Sequence, residues 1–316
     1  MKIKPKRLEI GNKIGIVSPA SPSYYKSDID RGIKTLKEWG FKVEPSKNLN
    51  KKTGFFSGRD IERAEDLNEM FERKDIDAIF VTQGGYGSAQ VLKYLDFDLI
   101  RKNPKIFLGF SDITSLLLAI NKITGIVTFH GPGMTRFNDE ELTDYTKEHL
   151  FKALDGQAPI GQINLADRKK WINVINGGQA EGELIGGNLT LICSSLGTPY
   201  EIDTKDKILF FEEVDTEPWI FDHMMCHLSN AGVLQKASGF VIGECARCVP
   251  RRLDPGFHSD ISLEDILEFY LKPLGKPVLH GLPIGHTKDL ATLPIGVKAY
   301  INADDKIFSI EEAAVL

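Results

Sequence analysis

The sequence predicts an α/β protein of two domains. The N-terminal domain is a mostly parallel sheet flanked by helices, and beyond a linker comes a smaller, strand-rich α+β domain. Three observations predict this. The first 130 residues alternate short β-rich runs with amphipathic stretches, the pattern of a parallel sheet covered by helices. From about Asp155 to Gly178, Gly, Pro, Asn and Gln are frequent and no helical or alternating period survives. The chain has 316 residues, about twice the ~150 of an ordinary domain. The bounds that follow are 1–154 for the first domain, 155–178 for the linker and 179–316 for the second.

In chain order, strands are expected at Lys13 to Val17, Lys42 to Glu44, Ala78 to Val81, Ile106 to Gly109 and Val127 to Phe129. Between them, Ser27 reads as the N-cap of a helix with Ile29, Ile33 and Leu36 on one face, and Ile61, Ala64, Leu67 and Phe71 repeat the helical spacing. The second domain offers strands at Ile208 to Phe211, Phe240 to Ile242, Val278 to His280, Val297 to Ile301 and Lys306 to Ser309. Its helices are expected near Trp219 to Ala231 and Leu263 to Leu271. No internal repeat or low-complexity segment is present.

Composition narrows the function classes. Hydrophobic residues make up 42% and charged residues 26%, ordinary values for a folded, soluble chain. Lys and Arg number 39 against 44 Asp and Glu, a net charge of −5, with no run of one sign to track a phosphate backbone, so nucleic acid is not an expected partner. The basic start to Arg7 is followed by Leu-Glu-Ile-Gly-Asn-Lys rather than an apolar signal core, and no apolar run approaches the ~20 residues that span a bilayer. Four cysteines are too few for a disulfide framework. A cytoplasmic location without membrane attachment is expected.

The segment Lys105 to Ile120 carries the strongest chemical signal. A buried strand ends at Gly109-Phe110 and a helix begins almost at once, which puts Ser111 on the turn at a sheet's carboxyl edge, where open α/β sheets place their sites. The turn resembles a nucleophile elbow, although the second Gly of G-x-S-x-G is absent, and Ser111 also reads as a plain helix cap. A hydroxyl needs a base to attack an amide. His286, displayed in the Gly/Pro-punctuated loop Gly281 to Lys288, is the first candidate, and His130, after a strand, is its rival. An orienting carboxylate is available where the apolar run Ile208 to Phe211 ends in Glu212 and Glu213. Strand alternation puts these two on opposite faces, and the sequence does not choose between them. The loop Thr82 to Gly87 follows a strand and precedes a helix, so its backbone N–H groups suit an anion or oxyanion, or it is simply a tight turn.

Two further clusters suggest metal or redox chemistry. His223, Cys226 and His227 share one helix, and Cys245 and Cys248 form a single C-x-x-C. No second C-x-x-C exists, and the histidines flank the apolar stripe of Phe221, Met224, Met225 and Leu228, so core-edge residues and small buried thiols are the expected roles. No metal and no cofactor are expected.

Taken together, Gly15 to Ser21, Gly84 to Gly87, Leu108 to Thr114, Thr128 to Pro132, Glu181 to Leu189, Leu209 to Glu213, Gly285-His286 and Leu293 to Gly296 resemble the serine LD-carboxypeptidases, peptidase family S66, which also include the microcin C immunity peptidases. The resemblance covers nearly the whole chain. It implies a Ser-Glu-His triad of Ser111, Glu212 and His286, with the nucleophile on the first domain, its activators on the second and a cleft between them. It also implies oxyanion-hole N–H donors at Gly85 and Asp112. Gln83 stands where the family often has Arg, and His223 where Arg is frequent; neither change touches the triad.

The activity implied is that of a serine peptidase releasing the terminal D-alanine from a muropeptide tetrapeptide in cell-wall recycling. A homodimer is implied as well. The alternatives are an immunity-type amidase cleaving peptidyl- or aminoacyl-nucleotide conjugates, in which Trp171 stacks on the base rather than anchoring the linker, and a non-catalytic two-domain protein that holds an acidic ligand at Gly84 to Gly87. An α/β-hydrolase esterase shares the order Ser, acid, His but lacks support at the elbow.

Overall fold

A computed structural model describes residues 2–138, 141–166, 170–251, 253, 256–257 and 260–316. The chain divides into two compact units. One comprises Met1–Pro159, Lys288–Val297 and Ala313–Leu316, the other Ile160–Thr287 and Lys298–Glu312.

The first unit holds five parallel strands, β1 Lys13–Val17, β2 Lys42–Pro45, β3 Ala78–Val81, β4 Ile106–Gly109 and β5 Thr128–His130, each within one residue of its predicted position. β3 and β4 are buried along their whole length, as expected of central strands covered on both faces. The strand order places β2-β1-β3-β4-β5 side by side. It reverses direction between β1 and β3, so the loops leaving those two strands flank the switch point where open α/β sheets bind ligands.

The helices depart from expectation in two places. The helix Lys26–Glu38 has Tyr25 at its cap position, so Ser27 lies inside the first turn. In the helix Asp60–Glu72, Ile61 is exposed while Arg63 and Asp66 are buried beside Ala64, Leu67, Met70 and Phe71. Both polar residues are aimed at loops: Asp66 accepts hydrogen bonds from Ser46 Oγ (2.6 Å) and Asn48 Nδ2 (2.8 Å). Burial pushes the Asp66 carboxyl above its ordinary range, opposed by these hydrogen bonds.

The segment read as a linker is partly sheet. β6 Gly161–Gln162 and β7 Asn173–Asn176 are the two edge strands of an eight-stranded sheet completed by β8 Gln179–Asn188, β9 Lys207–Glu212, β10 Gly239–Gly243, β11 Val278–Leu282, β13 Lys298–Asn302 and β14 Ile307–Ile310. Edge strands pair on one side only, so short polar runs suffice and leave no apolar period to read. β8 to β11 run parallel, while β7, β13, β14 and β6 pair antiparallel.

The C-terminal boundary also differs from 179–316, because β12 Leu293–Ile295 pairs antiparallel with β5 at the edge of the first sheet. Pro294, which has no N–H to donate, is tolerated there because on an edge strand a position facing away from the partner needs no ladder donor. Among the described residues no helix is long and apolar enough to cross a membrane.

Asn121 fastens β12. Its side-chain amide donates to the carbonyls of Ile126 (2.9 Å) and Ile295 (3.1 Å), and its oxygen accepts from Lys2 Nζ (2.8 Å). Asn121→Ala leaves two buried carbonyls unsatisfied and is expected to lower stability by about 1–3 kcal/mol, read as an earlier midpoint in denaturant unfolding.

Candidate active site

In the first unit, β4 ends at Gly109, Phe110 is extended, and Ser111 takes φ +63 before the helix Thr114–Thr124. A Cβ on Gly109 would stand 2.8 Å from Ile113 Cγ2, so glycine there lets the helix start fold back on the strand. A left-handed non-glycine residue costs of order 1–3 kcal/mol, and such strain collects at functional sites. Phe110, not Ser111, holds the cap position of the short turn Ser111–Ile113, so the plain capping role does not describe this serine. Its geometry is that of a strand-turn-helix elbow.

The Gly84 to Gly87 loop lies against that elbow. A Cβ on Gly84 would come within 2.8 Å of Ser111 Cβ and 3.2 Å of the Asp112 nitrogen. Gly85 has φ +105 and packs on Ser21, whose Oγ accepts from the Tyr86 N–H (3.1 Å). Gln83 donates to the Pro22 carbonyl (3.0 Å), a backbone tether that uses its neutral amide. Asp112 is buried and its carboxylate accepts from the Ser88 N–H (2.8 Å). Burial raises its pKa, opposed by the Ser88 and Gly87 donors and by the charge of Arg63.

In the second unit, Glu212 ends β9 with no exposed surface. Its Oε2 accepts from His286 Nδ1 at 2.7 Å, and its Oε1 accepts from Asn188 Nδ2 at 3.1 Å. Asn188 is opposite Glu212 in the β8–β9 register. Two glycines make room for the carboxylate: a Cβ on Gly243 would stand 2.9 Å from Glu212 Cβ, and one on Gly285, at φ +92, only 2.2 Å from Glu212 Oε2.

Glu213 does not take the opposite face, as alternation would have it. The strand stops at Glu212, and Glu213 also faces Asn188 Nδ2 (3.3 Å) while accepting from the N–H (2.9 Å) and Oγ1 (2.7 Å) of Thr190. Burial pushes its carboxyl pKa upward, despite those donors and helped by the neighbouring Glu212 charge. Of the two acids, Glu212 is the one bound to His286. With Nδ1 committed to a carboxylate, the imidazole's Nε2 is the nitrogen available for proton transfer.

The remaining sequence candidates fall outside these groups. His130, the rival base, is fully buried at the end of β5 with its ring edge-on to Phe110. His223 and His227 are exposed along the helix Pro218–Asn230, while Phe221, Met224, Met225 and Leu228 are buried. Cys245 and Cys248 are buried thiols. Burial pushes Cys248 up to about 11 and Cys245 well above its ordinary value, so both stay protonated. Among the described residues no group of three His, Cys, Asp or Glu side chains is arranged to hold a metal ion. Trp171 is 70% exposed, which contradicts the expectation that it anchors the linker on the core.

Sequence reasoning missed Asn188, Gly243 and Arg63. Arg63 was detectable only as a charge one position from the apolar stripe, and Asn188 as the polar end of a Gly-Gly-Asn run whose partner lies on another strand.

Comparison with known proteins shows the family to which the chain belongs. Residues 14–131 match the LD-carboxypeptidase N-terminal domain and residues 181–301 the LD-carboxypeptidase C-terminal domain. The chain is 39% identical over 315 residues to a probable murein peptide carboxypeptidase of Bacillus subtilis, covering 98% of this chain and 95% of that protein. It is 33% identical over 337 residues to the microcin C7 self-immunity protein MccF of Escherichia coli, covering 96% and 94%. A solved structure of MccF matches with a TM-score of 0.89 at 29% identity, over 99% of this chain and 100% of that one; others contain glutamyl sulfamoyl guanosine or aspartyl sulfamoyl adenosine. The muramoyltetrapeptide carboxypeptidase of Oxalobacter formigenes matches with a TM-score of 0.81 at 28% identity, over 95% and 99%. Two domain matches in order and near full-length relatives above 30% identity place the chain in the LD-carboxypeptidase family, a family of peptidases.

Proposed function

We propose that the protein is a serine-type LD-carboxypeptidase that releases the terminal D-alanine from muropeptide tetrapeptides in cell-wall recycling. The observation that carries the reading is the 2.7 Å bond between Glu212 and His286 Nδ1, the base-and-orienter half of a hydrolytic triad. Ser111 is the nucleophile. Its Oγ attacks the carbonyl of the L-configured centre while His286 Nε2 takes the proton. Glu212 holds the ring orientation and balances the imidazolium. Backbone N–H groups of Gly85 and Asp112 receive the oxyanion. Collapse of the tetrahedral adduct transfers the proton from His286 to the departing D-alanine nitrogen, and water then repeats the sequence on the acyl-enzyme. None of these steps uses a metal or cofactor. A cytoplasmic homodimer completes the proposal.

A second reading has one specific observation in its favour. Trp171 is exposed, as a nucleobase-stacking residue requires. An immunity-type amidase acting on aminoacyl-nucleotide conjugates uses the same three side chains. Trp171→Ala separates the two: it raises KM for a nucleotide conjugate under this reading and leaves tetrapeptide turnover unchanged under the first.

The decisive measurement is D-alanine release from a muropeptide tetrapeptide, followed by mass, in wild type and variants. Ser111→Ala is expected to lower turnover by about 10⁴–10⁶-fold, because triad members act as a unit. A Ser111→Ala protein with near-native turnover ends the mechanism. Glu212→Gln keeps the shape but loses the charge and the imposed tautomer, with an expected loss of about 10⁴-fold in kcat. Gly285→Ala drives a methyl group into the Glu212 carboxylate and is expected to cost about 10²-fold in kcat through misplacement of His286, with KM little changed.

A further inference from the structure

Arg63 divides its donors between two backbone carbonyls and an ion pair with Asp60 on its own helix. It projects from the helix Asp60–Glu72 with no side-chain exposure. Nη1 donates to the carbonyls of Pro19 (2.5 Å) and Gly87 (2.8 Å), and Nη2 donates to Asp60 Oδ1 (2.7 Å) and Gln90 Oε1 (3.3 Å). The guanidinium carbon lies 5.1 Å from the centre of the Phe56 ring, while Nε has no hydrogen-bond partner among the described residues. Burying a guanidinium with an unmet N–H is costly, and an apolar residue of similar volume often serves stability as well or better. What the arginine supplies that an apolar residue cannot is a rigid fork reaching two backbone carbonyls at once.

Those two carbonyls belong to the loops that leave β1 and β3, on either side of the switch point. Gly87, at φ +111, packs so tightly that a Cβ would stand 2.7 Å from the Phe56 ring and 3.0 Å from Arg63 Nη1. Two residues beyond Pro19, the Ser21 N–H donates to the Gly84 carbonyl (3.3 Å), and Ser21 Oγ accepts from the Tyr86 N–H. The loop is thus held at its far end by Arg63 directly and at its near end through Pro19 to Ser21. One residue past Gly87, Ser88 binds Asp112 through its N–H.

We propose that Arg63 is the positioning residue of the oxyanion hole, its guanidinium fixing the backbone of Gly84 to Gly87 and, through Ser88, the turn that presents the Asp112 N–H. This inference rests on the reading of Ser111 as nucleophile and of Gly85 and Asp112 as oxyanion donors. Arg63 touches no reacting atom; it acts by holding donors in place before charge develops.

The test uses the full-length protein with Arg63→Lys and Arg63→Met, assayed for D-alanine release and for the rate at which a serine-reactive peptidyl phosphonate labels Ser111. Lysine keeps the charge but cannot serve both carbonyls and Asp60 together. Loss of preorganised donors weakens the transition state and not ground-state binding, so the expected result is a kcat about 10–100-fold lower at a KM within threefold. Phosphonate labelling should slow in proportion, with the pH dependence of kcat/KM unchanged because His286 and Glu212 are untouched. A merely structural role would move KM and the unfolding midpoint instead of this ratio. Wild-type kcat in Arg63→Lys overturns the proposal, as does a fall in kcat without slower labelling. Where Arg63→Met does not fold, the lysine variant decides. A wild-type protein that neither releases D-alanine nor labels at Ser111 sinks the underlying reading, a different outcome from active enzyme indifferent to residue 63.

Discussion

A fully buried carboxylate at the end of a strand governs the second unit. Glu212 leaves water entirely, and an uncompensated carboxylate in such a place costs several kcal/mol. The fold answers with donors on both oxygens, His286 on one and Asn188 on the other. Parallel pairing of β8 with β9 brings Asn188 into register with Glu212. The absence of side chains at Gly243 and Gly285 leaves the carboxylate the volume it fills. The imidazole is oriented by the same bond that makes the buried carboxylate tolerable, so stability and the geometry of the candidate site share one interaction.

The first unit solves a complementary problem with a cation. Its strand-turn-helix elbow is strained at Ser111, and strain persists only where the surroundings over-determine the backbone. Gly84 closes on the turn from one side and Ser88 holds Asp112 on the other, both within reach of the loop that Arg63 tethers. Asp66, one turn further along the same helix, fastens the loop after β2 in the same manner. A single helix thereby carries two buried polar side chains whose partners are loops, an arrangement that a solvent-facing charge pattern does not provide. Loops held this way can present backbone donors without relying on regular secondary structure to fix them.

Much of this architecture was legible in the chain. β3 and β4 are continuous apolar runs of central-strand length, β1 is one after its first residue, Lys13, and the helix Leu263–Leu271 opens with a Ser262–Asp265 capping box and a clear apolar face. The serine at the end of β4 and the histidine after Gly285 stood out because glycine, strand ends and polar side chains mark turns locally. β6, β7 and β12 were not legible, because edge strands pair on one side only and their registration depends on partners far away in sequence; the central strand β8 was not read either, because Gly182, Gly186 and Gly187 and a polar first half interrupt its apolar run. Ile61, expected on the buried face, is exposed, and Arg63 is buried instead, for a similar reason. Helical periodicity distinguishes apolar from polar residues but says nothing of a charge whose partners are carbonyls on other loops.

The sequence by itself determined the α/β class, the order of the parallel strands' segments along the chain, and the residue types available at each strand end, since propensity, periodicity and turn chemistry act over a few neighbouring residues. Strand alternation left Glu212 and Glu213 undistinguished and only the resemblance pointed to Glu212; the tertiary structure shows the bond from Glu212 to His286, and it alone decided that His130 is sealed inside the first unit and that Arg63 faces inward. Each of those outcomes depends on which distant groups compensate a buried charge or donor, and that compensation is a property of packed neighbours rather than of local sequence.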